Sequence, residues 1–376
     1  MRLIIIAITT MLVCTSCIPK SHIEKLGIIT SVGYDAIEDE MVEGTLVVFQ
    51  FDPTTSKTSQ IISSKAETSK GIRYEANRLT SHRLVSGQVR LEVFEDELAA
   101  KGMKKYMDTL SRDAKISDLG YLAISDIPTK ELMSSDQSED SPNIGIYLQS
   151  LIEKSIKNHM IPDSVLTVFL RDVQDFGIDP VLPMLSMNGD KPYIKGLSLF
   201  KKDKYVSTLS EEDIYHLMLL RQRSKDTEFQ LDLDSEAFKP YYKDEKDDVN
   251  RGSLHVSLND LSNKTTIRSV NGDFLQQKVD IEIEGRLLEI TKEVDLKQPD
   301  VIKTIENEIE KQLKVRLQRL MDQLKEDGVD PVGFGKKHNE RNRKHQLTEE
   351  EWRKQIPEMN VEFNIHMKLL RYGTSE

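Results

Sequence analysis

Val279-Asp280-Ile281-Glu282-Ile283-Glu284-Gly285-Arg286-Leu287 alternates apolar with charged or small residues without a break. Period two is the mark of a strand with one buried face. Pro299-Asp300 then opens a stretch in which Ile302, Ile305, Ile309, Leu313, Leu320 and Leu324 recur at steps of three, four and seven, ending at Asp327-Gly328. That spacing lays one apolar stripe along a helix, with Pro inside its start and Gly past its end, as helix termini prefer. The stripe should pack on the strands. A coiled-coil partner is the competing use of such a helix, but the a/d register does not hold cleanly. The class that follows is α+β: a multi-domain, mixed α/β chain whose C-terminal domain is an antiparallel-rich sheet packed on one long helix.

Outward from this core, Leu254-His255-Val256-Ser257-Leu258 and Thr265 to Val270 also alternate, and with 279–287 they read as a meander. Glu349 to Lys354 reads as a short helix holding Trp352, the only tryptophan, and Met359 to Leu369 as a last alternating strand. Asp234 to Asn250 is charged and aperiodic, a long loop or a domain junction. Toward the N-terminus, Leu26 to Asp35 is a β-branched strand that Gly33 and Asp35 should close as a turn. Thr45 to Phe51 is a second strand, stopped by Pro53, and the two are expected to pair as a hairpin; Thr54 to Ser64 is an edge strand or loop. Helices are expected at Ser69–Leu79 (Ile72, Ala76 and Leu79 inward), at Asp96–Leu110 with Gly102 inside it, and at Ile144–Asn158. Shorter ones are expected from Pro128, after the Pro162-Asp163 cap, and from the capping box at Ser210 to Asp213. Strands are expected at 89–94, 119–124, 181–187 and 194–200, with a turn at Lys201 to Lys204 and a polar break from Ser134 to Asn143.

The chain has 376 residues, a formal charge of -11, 38% hydrophobic and 31% charged residues. That is a globular composition long enough for two or three domains. The acidic balance argues against nucleic acid, which needs Lys and Arg clustered on one face. The richest basic run, Gly335 to His345, reads as a solvated surface loop, with an anion or lipid-headgroup contact as the sharper alternative.

Residues 1–16 differ from all that follows. Met1-Arg2 is a short positive start, and Leu3 to Val13 carries no charge. At ~1.5 Å per residue the run reaches roughly 16 Å, about half a ~30 Å hydrocarbon core, so it is a secretory leader and not a spanning helix. Thr15 and Ser16 place small residues before Cys17, as a signal peptidase requires. The arrangement resembles a bacterial lipobox, with Cys14 where Leu, Val or Ile is usual. Cys17 is therefore the candidate lipidation site: an S-diacylglycerol, N-acylated cysteine at the start of the mature chain. A redox or metal Cys-x-x-Cys competes, but half of that pair lies in the leader and no second pair completes a zinc site. Two acyl chains make a stable anchor where one is marginal.

Catalytic motifs do not emerge. Gly333-Phe334-Gly335-Lys336-Lys337 lacks the spacing and the Ser or Thr of a phosphate-binding loop and reads as a Gly-rich turn after a helix. No Gly-x-Ser-x-Gly elbow or His-Glu-x-x-His helix occurs, and His338 with His345 is a weak metal pair. The sequence gives no ground for an enzyme, a cofactor or a metal.

Several stretches, in order along the chain, resemble the Ger(x)C spore germination lipoproteins. They are Cys17 followed by Leu26-Gly27-Ile28-Ile29-Thr30-Ser31-Val32-Gly33-Tyr34-Asp35; Gly71 to Ala76; Glu97-Leu98-Ala99-Ala100-Lys101-Gly102-Met103 with Leu110 to Ile116; Gly196 to Val206; and the long helix running into Asp330-Pro331-Val332-Gly333-Phe334-Gly335. Ile18-Pro19 stands where that family often has Trp-Asp, Glu95 where Gly is common, and Gln88 where His is frequent.

The resemblance implies a C subunit of a nutrient germinant receptor. It would be held by Cys17 on the outer face of the spore inner membrane, beside a membrane A subunit and a polytopic B subunit, with no catalytic residues or cofactor assigned. It implies a mixed α/β fold in three domains. The expected division is a cleaved leader at 1–16, an N-terminal germination-protein domain at 17–195 and a C-terminal domain at 196–376, the last structural domain starting at about 226. A substrate-binding lipoprotein of a transporter is the alternative of another class. It would be built of two lobes of strand–helix–strand crossovers around a cleft. An envelope enzyme, with perturbed titrating groups in a cleft, is a third.

Overall fold

A computed structural model describes residues 23–38, 40–51, 59–113, 117, 119–135, 143–221, 223, 225–242, 253–291, 294–296, 298–344 and 346–370. Strands β1 (Leu26–Ala36), β2 (Val42–Gln50), β3 (Ser59–Ala66), β4 (Arg83–Val85), β5 (Leu91–Glu95), β6 (Tyr121–Ser125), β7 (Val181–Asn188), β8 (Lys191–Lys201) and β9 (Lys204–Ser210) form one sheet. Its order is β3-β2-β1-β5-β6-β7-β8-β9, with β4 beside the start of β1. β10 (Thr227–Leu233), β11 (Leu254–Val270), β12 (Asp273–Ile290) and β13 (Asn360–Leu369) form a second sheet in that order. The helices are α1 (Ser69–Arg78), α2 (Asp96–Lys101), α3 (Lys104–Arg112), α4 (Thr129–Ser134), α5 (Ile144–Lys157), α6 (Leu166–Gln174), α7 (Glu211–Arg221), α8 (Pro299–Asp327), α9 (Phe334–Arg341) and α10 (Glu349–Gln355). The class is mixed α/β, and the C-terminal sheet packs on one long helix, as the alternation and the stripe imply.

The first sheet is parallel at its centre, where β1, β5, β6 and β7 lie side by side, and antiparallel at both flanks. A parallel centre is covered on both faces, so its strands are buried throughout; Leu91 to Phe94 are all buried, including Glu92. One core fills one face of this sheet. The other face shares a continuous core with the second sheet, running from Val47 and Leu91 through α7 to Val279 and Phe363. α7 is the join. Ile214 and Leu217 to Leu220 are all buried, as in a helix surrounded by protein.

α8 delivers its stripe as the spacing predicts. Val301, Ile305, Ile309, Leu313, Leu317, Leu320, Met321 and Leu324 are buried, and Gly328 ends the helix in the left-handed region at φ 65°. Its acidic face also closes the edge of the sheet. Glu310 accepts from the backbone N–H of Met367, and Glu306 from that of Leu369, both at 2.9 Å. These carboxylates occupy donors that an open edge strand would offer to another chain.

Several expectations are corrected. β13, the last alternating strand, joins β12 in parallel, because α8 carries the chain back across the sheet. The stretches 254–258 and 265–270 are one strand, bent at a bulge where Asp260 takes φ 50°. Gly33 and Asp35 do not close β1. The strand continues to Ala36, and the Asp35 carboxylate accepts from the backbone of Thr129 (2.6 Å) and Lys130 (3.0 Å), capping α4. The helix expected over Asp96–Leu110 is two helices. Gly102 takes φ 116°, and Asp203 from the β8–β9 turn captures the N–H of Met103 and of Lys104, each at 2.9 Å. Leu79 follows α1 and is exposed; Arg73 takes a place on the buried face beside Ile72 and Ala76. The helix after Pro162-Asp163 starts only at Leu166. The basic run from Gly335 is not a solvated loop, since residues to Arg341 form α9, with Gly335 and His338 buried. The polar break over Ser134–Asn143 falls largely outside the described residues, as do residues 243–250 of the loop expected over Asp234–Asn250, but Ser235–Tyr241 form a 3-10 helix with Phe238 buried.

Candidate functional site

Cys17, the residue singled out by the sequence, lies outside the described residues, as does His345. His338 is buried. Its Nδ1 meets Ser269 Oγ at 2.9 Å and the ring stands edge-on to Phe274, so it is part of the core. Among the described residues, no cluster of three or more His, Cys, Asp or Glu is arranged to hold a metal, and no helix is long and apolar enough to cross a membrane.

What the structure does build is a polar junction at Asp330-Pro331-Val332-Gly333-Phe334-Gly335. α8 ends at Gly328, and Gly333 takes φ 78°, turning the chain directly into α9. The N-terminus of a helix presents free N–H groups that attract an anion. Here Asp330 is that anion. Its Oδ1 accepts from the N–H of Gly333 (2.8 Å) and Phe334 (3.0 Å). Its Oδ2 accepts from Gly335 N–H (2.9 Å) and Trp352 Nε1–H (3.2 Å). The likeness to a phosphate loop is thereby explained: the cradle is present and a carboxylate of the same loop fills it. Burial pushes the Asp330 carboxyl up against the pull of these donors.

The junction ties the two sheets together. Asp179, on the approach to β7, accepts Asp330 N–H at 2.8 Å and returns its own N–H to Asp330 O at 2.9 Å. Arg353 of α10 donates to both oxygens of Asp179, each at 2.6 Å, and its guanidinium lies 3.9 Å over the Trp352 ring. Burial alone would lower the Arg353 pKa; pairing with Asp179 and Glu349 more than offsets that. Behind it, Arg221 at the end of α7 donates to Pro331 O and to Asp172 Oδ2, both at 2.5 Å. Gly177 and Gly335 touch across the junction. A Cβ on Gly177 would stand 2.8 Å from Gly335 Cα, and one on Gly335 would stand 2.6 Å from Trp352 Cδ1. Lys336 anchors the same contact by donating to Asp175 Oδ2 at 2.6 Å.

A second buried group lies in the first core. Arg73 donates to Glu92 Oε1 at 2.8 Å and to the Tyr34 hydroxyl at 3.2 Å, while that hydroxyl donates to Glu92 Oε2 at 2.6 Å. Burial raises both Glu92 and Tyr34. In both groups the carboxylates are spent on internal donors, an arrangement that fixes structure and leaves no base facing a cleft. The clefts lie elsewhere. One of about 510 Å³ opens between the sheets beside His159, Ile194, Tyr215 and Asp226. Another of about 610 Å³ lies at the start of β1, beside Ile28, Phe49 and Ile146.

The sequence marked Asp330 to Gly335 and Trp352, and the structure brings them together. It did not mark Asp179, Arg221, Arg353, Arg73 or Glu92. Glu92 carried a signal, as a charge flanked by the inward-facing Leu91 and Val93; Arg73, between Ile72 and the exposed Tyr74, carried none.

Known proteins match along the whole of this architecture. The family described as the spore germination protein N-terminal domain matches residues 19–187. The family described as spore germination B3/GerAC like, C-terminal, matches residues 195–373. The spore germination protein GerQC of Bacillus cereus is 22% identical over 362 residues, covering 96% of this chain and 96% of that one. YfkR of Bacillus subtilis (strain 168), which carries a spore-germination name, is 20% identical over 346 residues, covering 86% and 85%. The crystal structure of the GerBC protein superposes with a TM-score of 0.56 at 13% identity, covering 90% of this chain and 97% of that one, and so shares the fold.

Proposed function

The chain belongs to the Ger(x)C family of spore germination proteins, and from that premise we propose that it is the lipid-anchored C subunit of a nutrient germinant receptor. The observation that carries the reading is the co-occurrence of family matches over nearly all of the chain with a lipobox-like cysteine, Cys17, immediately ahead of them. In this reading Cys17 is diacylglycerylated on sulfur and acylated on nitrogen after removal of 1–16. The body then sits on the outer face of the spore inner membrane beside the A and B subunits. It acts as a non-catalytic assembly component, needed for or assisting nutrient-triggered germination. Confinement to the membrane plane raises its effective concentration near those partners. The two buried polar groups, whose carboxylates are spent on internal donors, support a scaffold role.

We read the mature chain as two sequence units, 17–195 and 196–376. The boundary falls inside β8, and the last structural unit from about 226 is supported by the second sheet's start at Thr227. The transporter alternative calls for two lobes around a central cleft. The core shared by the two sheets favours the germination reading.

Cys17→Ala tests the anchor. The variant should leave the membrane fraction and slow nutrient-triggered germination, and normal germination with a soluble protein would sink the anchoring claim. Affinity purification from detergent-solubilised spore membranes tests the partners. A polytopic subunit and a large receptor subunit should come along; a permease with an ATPase would point to the transporter reading.

A further inference from the structure

The chain enters the first sheet at one end, and that end is apolar. Ile23–Lys25 form a 3-10 turn that leads into Leu26. Gly27 and Ile28 pair with Gln50 and Phe49, and Leu26 to Ile28 pair with Arg83 to Val85. Phe49 and Phe51 meet edge to face at 4.8 Å beside this entry point. The cleft of about 610 Å³ described above lies here, its rim made by Ile28, Phe49, Arg90, Leu119, Tyr121 and Ile146. Four of the large apolar side chains that are exposed among the described residues gather at this end: Ile23 (52%), Phe51 (42%), Leu119 (66%) and Ile146 (42%). Apolar exposure concentrated on one rim marks a contact surface, whereas scattered single residues do not.

The charges suit an anionic partner. Lys25, Arg83 and Arg90 are exposed on this rim against one exposed acid, Glu24, in the turn at Ile23–Lys25, and Glu153, the acid that lines the cleft, is paired with Lys157 at 2.7 Å. On a chain of net charge -11 such a rim is unusual.

The tether supplies the geometry. From Cys17 to Ile23 the chain can span at most roughly 22 Å, at ~3.6 Å per residue. α8, with 29 residues, is about 43 Å long at ~1.5 Å per residue. A leash half the length of the body's long helix keeps the start of β1 beside whatever surface holds Cys17.

We propose that this rim is the membrane-facing surface of the protein, with Ile23, Phe51, Leu119 and Ile146 seated at the headgroup boundary of an anionic bilayer and Lys25, Arg83 and Arg90 against its phosphates. The proposal rests on the anchoring of Cys17 proposed above. It adds that the body docks in one orientation instead of swinging on its leash. Apolar side chains at a bilayer boundary flanked by basic residues are the general chemistry of interfacial binding.

Once Cys17 is acylated and Cys14 has left with the leader, a new cysteine is the only free thiol. The full lipidated chain carrying Leu119→Cys, Ile146→Cys, Tyr74→Cys or Val315→Cys is labelled with an environment-sensitive fluorophore. Each is reconstituted in phosphatidylglycerol–phosphatidylcholine vesicles with brominated acyl chains. Tyr74 and Val315 are exposed on α1 and α8 and serve as controls. The expected result is quenching at least two-fold stronger at 119 and 146 than at 74 and 315. Equal quenching at all four sites, in protein that floats with the vesicles, overturns the docked face and leaves the anchor standing. Protein that does not float removes the anchor, and the docked face with it. Absent lipid quenching combined with loss of co-purified membrane subunits in Leu119→Asp would reassign the rim to a protein partner and overturn the proposal.

Discussion

Arg353 holds Asp179 through both of its terminal nitrogens at 2.6 Å, across 174 positions of sequence. Asp179 is fully buried, and Arg353 is largely so. Removing one partner of a buried pair leaves an uncompensated charge, a loss of about 3–5 kcal/mol. Asp179→Ala and Arg353→Ala should each lower stability by that much in urea unfolding. The double variant Asp179→Leu with Arg353→Met should recover only part of it, because the N–H groups of Asp330 and Lys202 also lose their acceptor. Single variants that cost below about 1 kcal/mol would show that the pair does not hold the sheets together.

Asp330→Asn keeps the shape and removes half of the acceptors. An amide NH₂ would face one pair of donors, either Gly333 and Phe334 or Gly335 and Trp352. Losing hydrogen bonds to a charged acceptor should cost about 2–3 kcal/mol. Trp352 is the only tryptophan, so fluorescence reports on its own site. An altered emission maximum in the folded variant is expected, and an unchanged spectrum with unchanged stability would contradict the assigned geometry.

Lys337 gives a pH signature. Burial lowers its amine to about 8 from 10.5. Between those values the unfolded chain still binds the proton that the folded chain has released, so stability rises with pH across that window. Below about 8 both states are protonated and the burial cost is fully present. Lys337→Met should therefore be more stable than the parent at pH 7, by at most about 3 kcal/mol, less for the part of the side chain that water still reaches. The gap between the two proteins should narrow from pH 8 to 10.5; a constant gap in unfolding midpoints would rule out the assignment.

The Arg73, Glu92 and Tyr34 group should behave as one unit. Glu92→Ala or Arg73→Ala is expected to cost about 3–5 kcal/mol, and Arg73→Met with Glu92→Leu much less than the sum. A double-mutant cycle measures it. Strict additivity would mean that the three do not interact.

Periodicity made the second sheet and α8 legible because each has one wet face and one dry face. Of the stripe marked on α8, Ile305, Ile309, Leu313, Leu320 and Leu324 are buried and Ile302 only half-buried, and Val301, Leu317 and Met321 complete it. The parallel strand β5 and the helix α7 were also found, as the strand expected at 89–94 and the helix opened by the capping box at Ser210 to Asp213, but burial on all sides hid which of their residues face inward. Breaks set by distant residues were not legible at all. Asp203 splits α2 from α3, and Asp35 caps α4, through contacts across 99 and 94 positions. The candidate junction was half legible. Asp330 to Gly335 reads as a loop with special glycines, but nothing local to Asp179 or Arg353 names the other.

Because β13 lies beside β12 and α10 supplies Arg353, residues 349–369 complete both the second sheet and the clasp on the first. On the proposed reading of residues 1–16 as a leader, the chain emerges N-terminus first. Until residues past about 360 have crossed, the flank of β12 stays open and Asp179 has no guanidinium. Chains lacking residues 349–369 would thus present a bare, pairing-competent strand to proteases and chaperones. Closure of both sheets is thereby tied to one segment: only a chain that includes residues 349–369 covers the flank of β12 and gives Asp179 its guanidinium.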